Sequence, residues 1–120
     1  FGVNIPDEKL LYALDFCGNV TGKSHDKFKE AGLTMEKARL IKAPLIAECP
    51  VNIECKVRYI VPLGTHDMFI GEIVSADADK TSVKGEAIDY NKLDLITYIK
   101  NTYFSVGEKL DGQGFSIKKH

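Results

Sequence analysis

An all-β or α+β domain built on one long β-hairpin is the fold class this sequence predicts, and three observations carry that reading. From Val51 to Val61 the odd positions are all apolar (Val51, Ile53, Cys55, Val57, Tyr59, Val61), while the even ones run Asn52, Glu54, Lys56 and Arg58 before Ile60 breaks the pattern. A period of two is what a half-buried strand requires, because successive side chains point to opposite faces. Pro62-Leu63-Gly64-Thr65 follows and reads as a turn, since Pro lacks an amide donor and Gly favours reversal. Met68–Val74 then opens Met-Phe-Ile and supplies the returning strand. The chain therefore predicts a hairpin over Val51–Val74 as its spine.

Size and composition bound the rest. With 120 residues, 44% hydrophobic and 28% charged, the chain makes one ordinary globular domain, able to bury roughly two-thirds of its unfolded surface. A net charge of −1 with both signs interspersed gives no electrostatic footprint for nucleic acid or a membrane surface. No apolar run reaches the roughly 18–20 residues a membrane helix needs. Cys17, Cys49 and Cys55 are odd in number and lack CxxC spacing. They read as reduced core thiols of a cytoplasmic protein, with no metal site. The chain opens at Phe1 without a methionine, directly in a strand-like alternation (Phe1, Val3, Ile5), and an absent upstream segment is the expectation.

Taken in order, Phe1–Ile5 is a short strand ended by Pro6. Asp7 and Glu8 favour the positive end of a helix. Leu10, Leu11, Leu14 and Cys17 give that helix one apolar side, with Gly18 as its stop. Gly18–Gly32 holds Thr21, Gly22, Lys23 and Ser24, enough to cradle a phosphate, but the GxxxxGK[ST] spacing fails and an ordinary loop is the plainer reading. Ser24 is the expected N-cap of a short helix, His25–Ala31, whose His25 is expected to be solvated. Lys37–Ala43 alternates like an edge strand, and Leu45–Ala47, between Pro44 and Pro50, is expected to pack irregularly. Ala76–Asp94 reads as a solvated connection with one helical turn near Tyr90–Leu93. Leu95–Val106, rich in β-branched and aromatic residues, is expected to be extended, and Gly107–His120 to run over the surface.

Few residues offer chemistry on their own. His66-Asp67, where the chain re-enters the sheet, is either a polar tip over a cavity or a surface turn. No HExxH, GxSxG or Ser–His–Asp grouping exists, and the carboxylates are scattered, so no catalytic residue is assigned. Tyr98, Tyr103 and Phe104 form an aromatic cluster that suits either a core or a stacked planar ligand.

Several blocks together resemble a known family: FxVNIP, an acidic helix ending in FCG, TGK, DKF, AGLT, KAPLIAECPVNIECKV, LGTHDMFIGEIV and TYFSVGEKL. In that order they resemble the flavin reductase-like, FMN-binding split-barrel proteins, especially the flavoredoxin-like members. Relatives often have SGK or SGR where Thr21–Lys23 reads TGK. The resemblance implies an antiparallel Greek-key split β-barrel that dimerises and holds FMN non-covalently. It implies electron transfer from a reduced nicotinamide, NAD(P)H, or a redox protein through the flavin to an acceptor. Lys27 of the DKF block and His66 are the implied cofactor contacts. Phe104 is the implied aromatic neighbour, with Tyr98 and Tyr103 behind it, and Thr21, Gly22 and Ser24 line the same pocket. Family members carry a further N-terminal segment before the FxVNIP strand, so an incomplete barrel paired with that segment or with a second copy is expected. An electron carrier without a nicotinamide site, or a piece that no longer binds flavin, are the alternative readings.

Overall fold

The computed structural model describes residues 1–118. Lys119 and His120, the end of the expected surface tail, lie outside the described residues. The predicted hairpin is present and longer than its alternation indicates. Strand β4 runs Val51–Pro62 and β5 runs Asp67–Ala78. They pair antiparallel from Val51↔Ala78 to Pro62↔Asp67, with irregularities at Glu54/Cys55 and Val57/Tyr59. Each irregularity leaves a residue unpaired, bends the ribbon and interrupts the alternation of faces. Strand β1 (Gly2–Ile5) adds to the other edge of β4, Gly2↔Glu54 through Ile5↔Val51, giving the order β1-β4-β5.

The lower half of the hairpin is buried on both faces. Val51, Asn52, Glu54 and Cys55 are all buried, although the alternation assigns Asn52 and Glu54 to solvent. The cover is the segment between β1 and β4. It contains the two-stranded ribbon of β2 (Met35–Glu36) and β3 (Leu45–Ile46). Lys37–Ala43, expected as an edge strand, forms none, because its amides are claimed by a side chain. The N–H groups of Leu40 (2.7 Å) and Ile41 (3.2 Å) donate to Glu54 Oε1, and that of Arg39 (3.1 Å) donates to Oε2. These donors, Leu40 foremost, hold the Glu54 carboxyl below its ordinary range against the opposing effect of burial. Asn52 serves the same cover. Its Oδ1 accepts from Asn4 Nδ2 (2.6 Å) and Ile46 N (3.4 Å), and its Nδ2 donates to the carbonyls of Ile46 (3.1 Å) and Cys49 (3.3 Å).

Helix α1 (Leu11–Asn19) follows a helical turn at Glu8–Leu10 capped by Asp7, whose carboxylate accepts from Lys9 N. Gly18 lies inside the helix rather than stopping it. The end comes at Val20, and Asn19 Nδ2 donates back to the Asp15 carbonyl (2.8 Å). Leu10, Ala13, Leu14 and Cys17 close over Asn4, Pro6, Leu33, Ile46 and Cys49 around an apolar cavity of about 140 Å³. Helix α2 is shorter than expected, Lys27–Glu30, and its cap is Asp26, which accepts from Lys29 N (3.2 Å), rather than Ser24. Asp is as good a cap as Ser, and the turn closed by Thr21 commits Ser24 to the preceding loop. Past β5 the connection is more structured than expected. It contains a helical turn at Lys80–Ser82, a ribbon of β6 (Val83–Lys84) with β7 (Ala87–Ile88), and the expected turn at Tyr90–Lys92. Leu95–Val106 is extended as β8 (Ile96–Ile99) and β9 (Thr102–Ser105). Lys100 (φ 43°) and Asn101 (φ 63°) are both left-handed between them, as a two-residue type I′ hairpin turn demands.

Above Cys55 the β4–β5 ribbon has no third strand and becomes a projecting arm. Val57, Tyr59, Ile60, Leu63, Met68, Phe69, Ile70 and Ile73 are all exposed on it. The accessible surface is 9657 Å², against roughly 6,450 Å² for a compact monomer of 13.3 kDa. The radius of gyration, 16.9 Å, likewise exceeds the roughly 13.6 Å of a compact domain this long. Both excesses come from a chain with little core of its own, whose buried apolar residues are chiefly small.

A carboxyl whose folded pKa is depressed contributes stability above its ordinary value of about 4.5, and that contribution is lost as pH falls through the lower folded value. Glu54→Gln is expected to lower Tm by several degrees at pH 7 and to approach the parent below pH 4; a constant difference across that range would refute the assignment. Burial, reinforced by the carboxylates of Asp7, Glu48 and Asp79, pushes the Cys49 thiol up to about 11. At pH 8 roughly one molecule in a thousand then carries the thiolate. Iodoacetamide should therefore label half-buried Cys17 first, and Cys49 only on unfolding, as read by mass spectrometry of digested protein.

Candidate functional site

The eight expected site residues fall into three groups, two of which share one support. The first is the loop after α1. Thr21 builds it: its hydroxyl accepts from Lys23 N (3.3 Å), and its carbonyl accepts from Ser24 N (3.2 Å) and His25 N (3.1 Å). Gly22 is in open space with no positive φ, so nothing in this backbone requires glycine there. Ser24 is exposed beside it. Lys27, at the start of α2, turns its ammonium back onto the Cys17 carbonyl of α1 (2.7 Å). That carbonyl belongs to the negative end of the helix dipole. Lys27 has no carboxylate partner among the described residues, where the ion pairs are His25–Glu30, Arg39–Asp77 and Arg58–Glu72. His25, expected to be solvated, is half-buried, with Nδ1 3.1 Å from Glu30 Oε1 and its ring edge-on to Phe16.

The second group is the β8–β9 hairpin. Tyr98 and Tyr103 face each other directly across it, ring centroids 5.3 Å apart and tilted by 60°. The Tyr98 hydroxyl donates to Asn101 Oδ1 (2.9 Å), bracing the turn. The Tyr103 hydroxyl donates to Asp15 Oδ1 of α1 (2.9 Å), and this bond to a carboxylate favours the neutral phenol and raises its pKa. Phe104, half-exposed, lines a hollow of about 250 Å³ with Glu8, Leu11, Ile96, Tyr103 and Ser105. Helix α1 thus anchors both groups, at Asp15 and at Cys17, two residues apart. Asp15 was not singled out in the sequence: it is one acidic residue among 17, and no local pattern pairs it with a tyrosine 88 positions away.

The third group is His66 alone. It sits exposed at the tip of the arm, Nδ1 3.0 Å from Thr65 Oγ1, with its carbonyl accepting from Leu63 N (2.8 Å) and Gly64 left-handed (φ 94°) between them. The arm above Cys55 is about 24 Å long by strand rise, and its tip is remote from the β1–β4 base. Neither Lys27 nor His66 lines the hollow beside Phe104. One chain therefore presents an anion-seeking lysine and an aromatic hollow on a common helix, and an imidazole held out at a distance.

The flavoredoxin of Desulfovibrio vulgaris (Miyazaki F) superposes with a TM-score of 0.87 at 30% identity, over 98% of this chain and 64% of that one. Flavoredoxin from Methanosarcina acetivorans gives 0.85 at 30% identity with the same coverages. A Shewanella frigidimarina protein with a split barrel domain matches at 0.78 and 22% identity, over 95% of this chain and 59% of that one, and shows the shared fold. The architecture is accordingly a mainly β split barrel, with no closed barrel among the described residues. An uncharacterized protein of Archaeoglobus fulgidus is 35% identical over 74 residues, 62% of this chain and 42% of its own length. The alignments cover 42%, 28% and 48% of the first three curated relatives, so the chain spans about half their length or less. Residues 1–107 match the flavin reductase like domain, and the chain belongs to that family.

Proposed function

We propose that this chain supplies the flavin-holding part of an oxidoreductase that binds FMN non-covalently and moves electrons from NAD(P)H or a redox protein to an acceptor. The observation that carries the reading is the family match over residues 1–107 together with superposition on two flavoredoxins over 98% of the chain. The side chains suit the cofactor. Lys27 has an ammonium bonded to one neutral carbonyl and paired with no carboxylate among the described residues, which fits the phosphate or the pyrimidine edge. The hairpin offers an exposed aromatic on each face, Tyr98 beside Tyr103 on one and Phe104 on the other, and either suits a planar ring. Thr21, Gly22 and Ser24 offer the same loop to polar atoms, and His66 offers a ring nitrogen to a heteroatom. Bound FMN would supply the hydride and electron chemistry, while these residues position it and set its electrostatic surroundings. No acid or base of the chain is needed as a catalytic residue.

A second wall completes the pocket, and we assign it to a second copy of the chain or to the family's further segment. The support is the apolar arm and a surface roughly 3,200 Å² larger than a compact monomer's. In such an assembly the arm carries His66 to the loop and hairpin of its neighbour. Free thiols at Cys17, Cys49 and Cys55 suit a reducing, cytoplasmic setting. No helix of the described residues is long and apolar enough to cross a membrane.

Visible flavin absorbance should accompany the protein after FMN is added and excess removed. Lys27→Ala and His66→Ala should each weaken FMN roughly tenfold, the loss of one charge-assisted or buried hydrogen bond; variants that hold FMN as tightly as the parent would remove the site assignment. Turnover of NADH or NADPH with added FMN identifies a reductase. Reduction only by a partner protein identifies a carrier, and protein that stays colourless identifies a chain that binds no flavin. Phe69→Asp on the arm should shift the sedimenting mass from dimer to monomer, and an unchanged mass would take the arm out of the interface.

A further inference from the structure

The hairpin that carries Tyr98, Tyr103 and Phe104 is held to the rest of the molecule by few bonds. On its N-terminal side Leu95 bridges Asp7, and Glu8 N donates to the Asp94 carbonyl (2.9 Å). Beyond these the hydroxyl of Tyr103 reaches Asp15 Oδ1 (2.9 Å), the one side-chain hydrogen bond between β8–β9 and α1 among the described residues. The hollow beside Phe104 lies between the same two elements, with Glu8 and Leu11 as one wall and Ile96, Tyr103, Phe104 and Ser105 as the other. Its width depends on where Tyr103 is pinned. Helix physics supplies no reason for an aspartate at position 15. Asp is a poor helix former, and at the fifth of nine helical positions it is too far from the N-terminus to gain from the dipole. The contact across 88 residues supplies one.

Resting on the flavin reading above, we propose that Asp15 is a positioning residue for the cofactor. It fixes the Tyr103 ring, and with it the hairpin that carries Phe104, against α1 at the spacing a planar ring requires, without touching the ligand itself. Asp15 and Tyr103 then act as a unit, so loss of either releases the hairpin and loss of both costs no more.

The tests use the full chain with FMN as the probe. The bond itself is read without flavin: by NMR or near-ultraviolet titration, Tyr103 should ionise at lower pH in Asp15→Ala than in the parent, because the carboxylate that disfavours phenolate is gone. An unchanged titration overturns the inference. FMN affinity should fall roughly fivefold in Asp15→Ala and in Tyr103→Phe, with the double variant no weaker than either. Asp15→Asn, which keeps an acceptor oxygen, should restore affinity to within about twofold. A parent that binds FMN while Asp15→Ala binds it equally well overturns this inference alone. A parent that takes up no FMN overturns the flavin reading, and this inference with it.

Discussion

A buried carboxylate organises this molecule. Glu54 has no exposed surface, so its oxygens must find donors inside the protein, and the backbone of Arg39, Leu40 and Ile41 provides three. The constraint works in both directions. Those amides, folded against β4, would themselves be unsatisfied without the carboxylate, so segment and strand need each other. Asn52, two residues earlier on the same face, makes the equivalent arrangement with the carbonyls and amide of Ile46 and Cys49. Together they clamp an otherwise irregular stretch over the base of the hairpin and leave no buried polar side-chain atom unsatisfied among the described residues. Arg39 adds an ion pair to Asp77 on β5 (2.8 Å), but as an exposed pair it contributes little beside the buried bonds.

With the base fixed this way, the arm is left to rely on something else. Its two strands hydrogen-bond only to each other above Cys55, and a two-stranded ribbon in water is marginal by itself. Apolar side chains exposed from both strands make solvation worse, not better. Gly71 shows where the firm part ends: a Cβ there would lie 2.6 Å from the Phe1 ring, so the ring closes directly on the backbone at the level where β1 runs out. Beyond it, the two strands of the arm have no third strand among the described residues to lean on. The residue at the tip, His66, is positioned only as well as the arm is.

The hairpin, the terminal strand, the first helix and the extended aromatic stretch were legible in the sequence, because each rests on a local periodicity or turn signal. The cover over the hairpin was not. Alternation distinguishes polar from apolar but not a solvated polar face from one roofed by backbone donors, so Asn52 and Glu54 look like surface. For the same reason Lys37–Ala43 looks like a strand, since nothing local shows that its amides are already taken. At the candidate site the expected aromatic cluster is only in part a cluster: Tyr98 and Tyr103 meet across the hairpin, while Phe104, one residue on, faces the other way. The Asp15–Tyr103 bond was not legible because it is a single contact across the fold.

In the proposed site, the last turns of α1 are the common footing of two different groups. A helix C-terminus carries partial negative charge, and the Lys27 ammonium rests on it through the Cys17 carbonyl. That interaction holds the lysine in place while neutralising only part of its charge, so the cation stays available to an anion. Two residues earlier the Asp15 carboxylate accepts from the Tyr103 phenol and forms no ion pair with Lys27 among the described residues. A site for an anionic, planar molecule needs both properties together: a positive charge that is fixed but not quenched, and an aromatic wall that is held but not covered. In this chain a single short helix provides the footing for each.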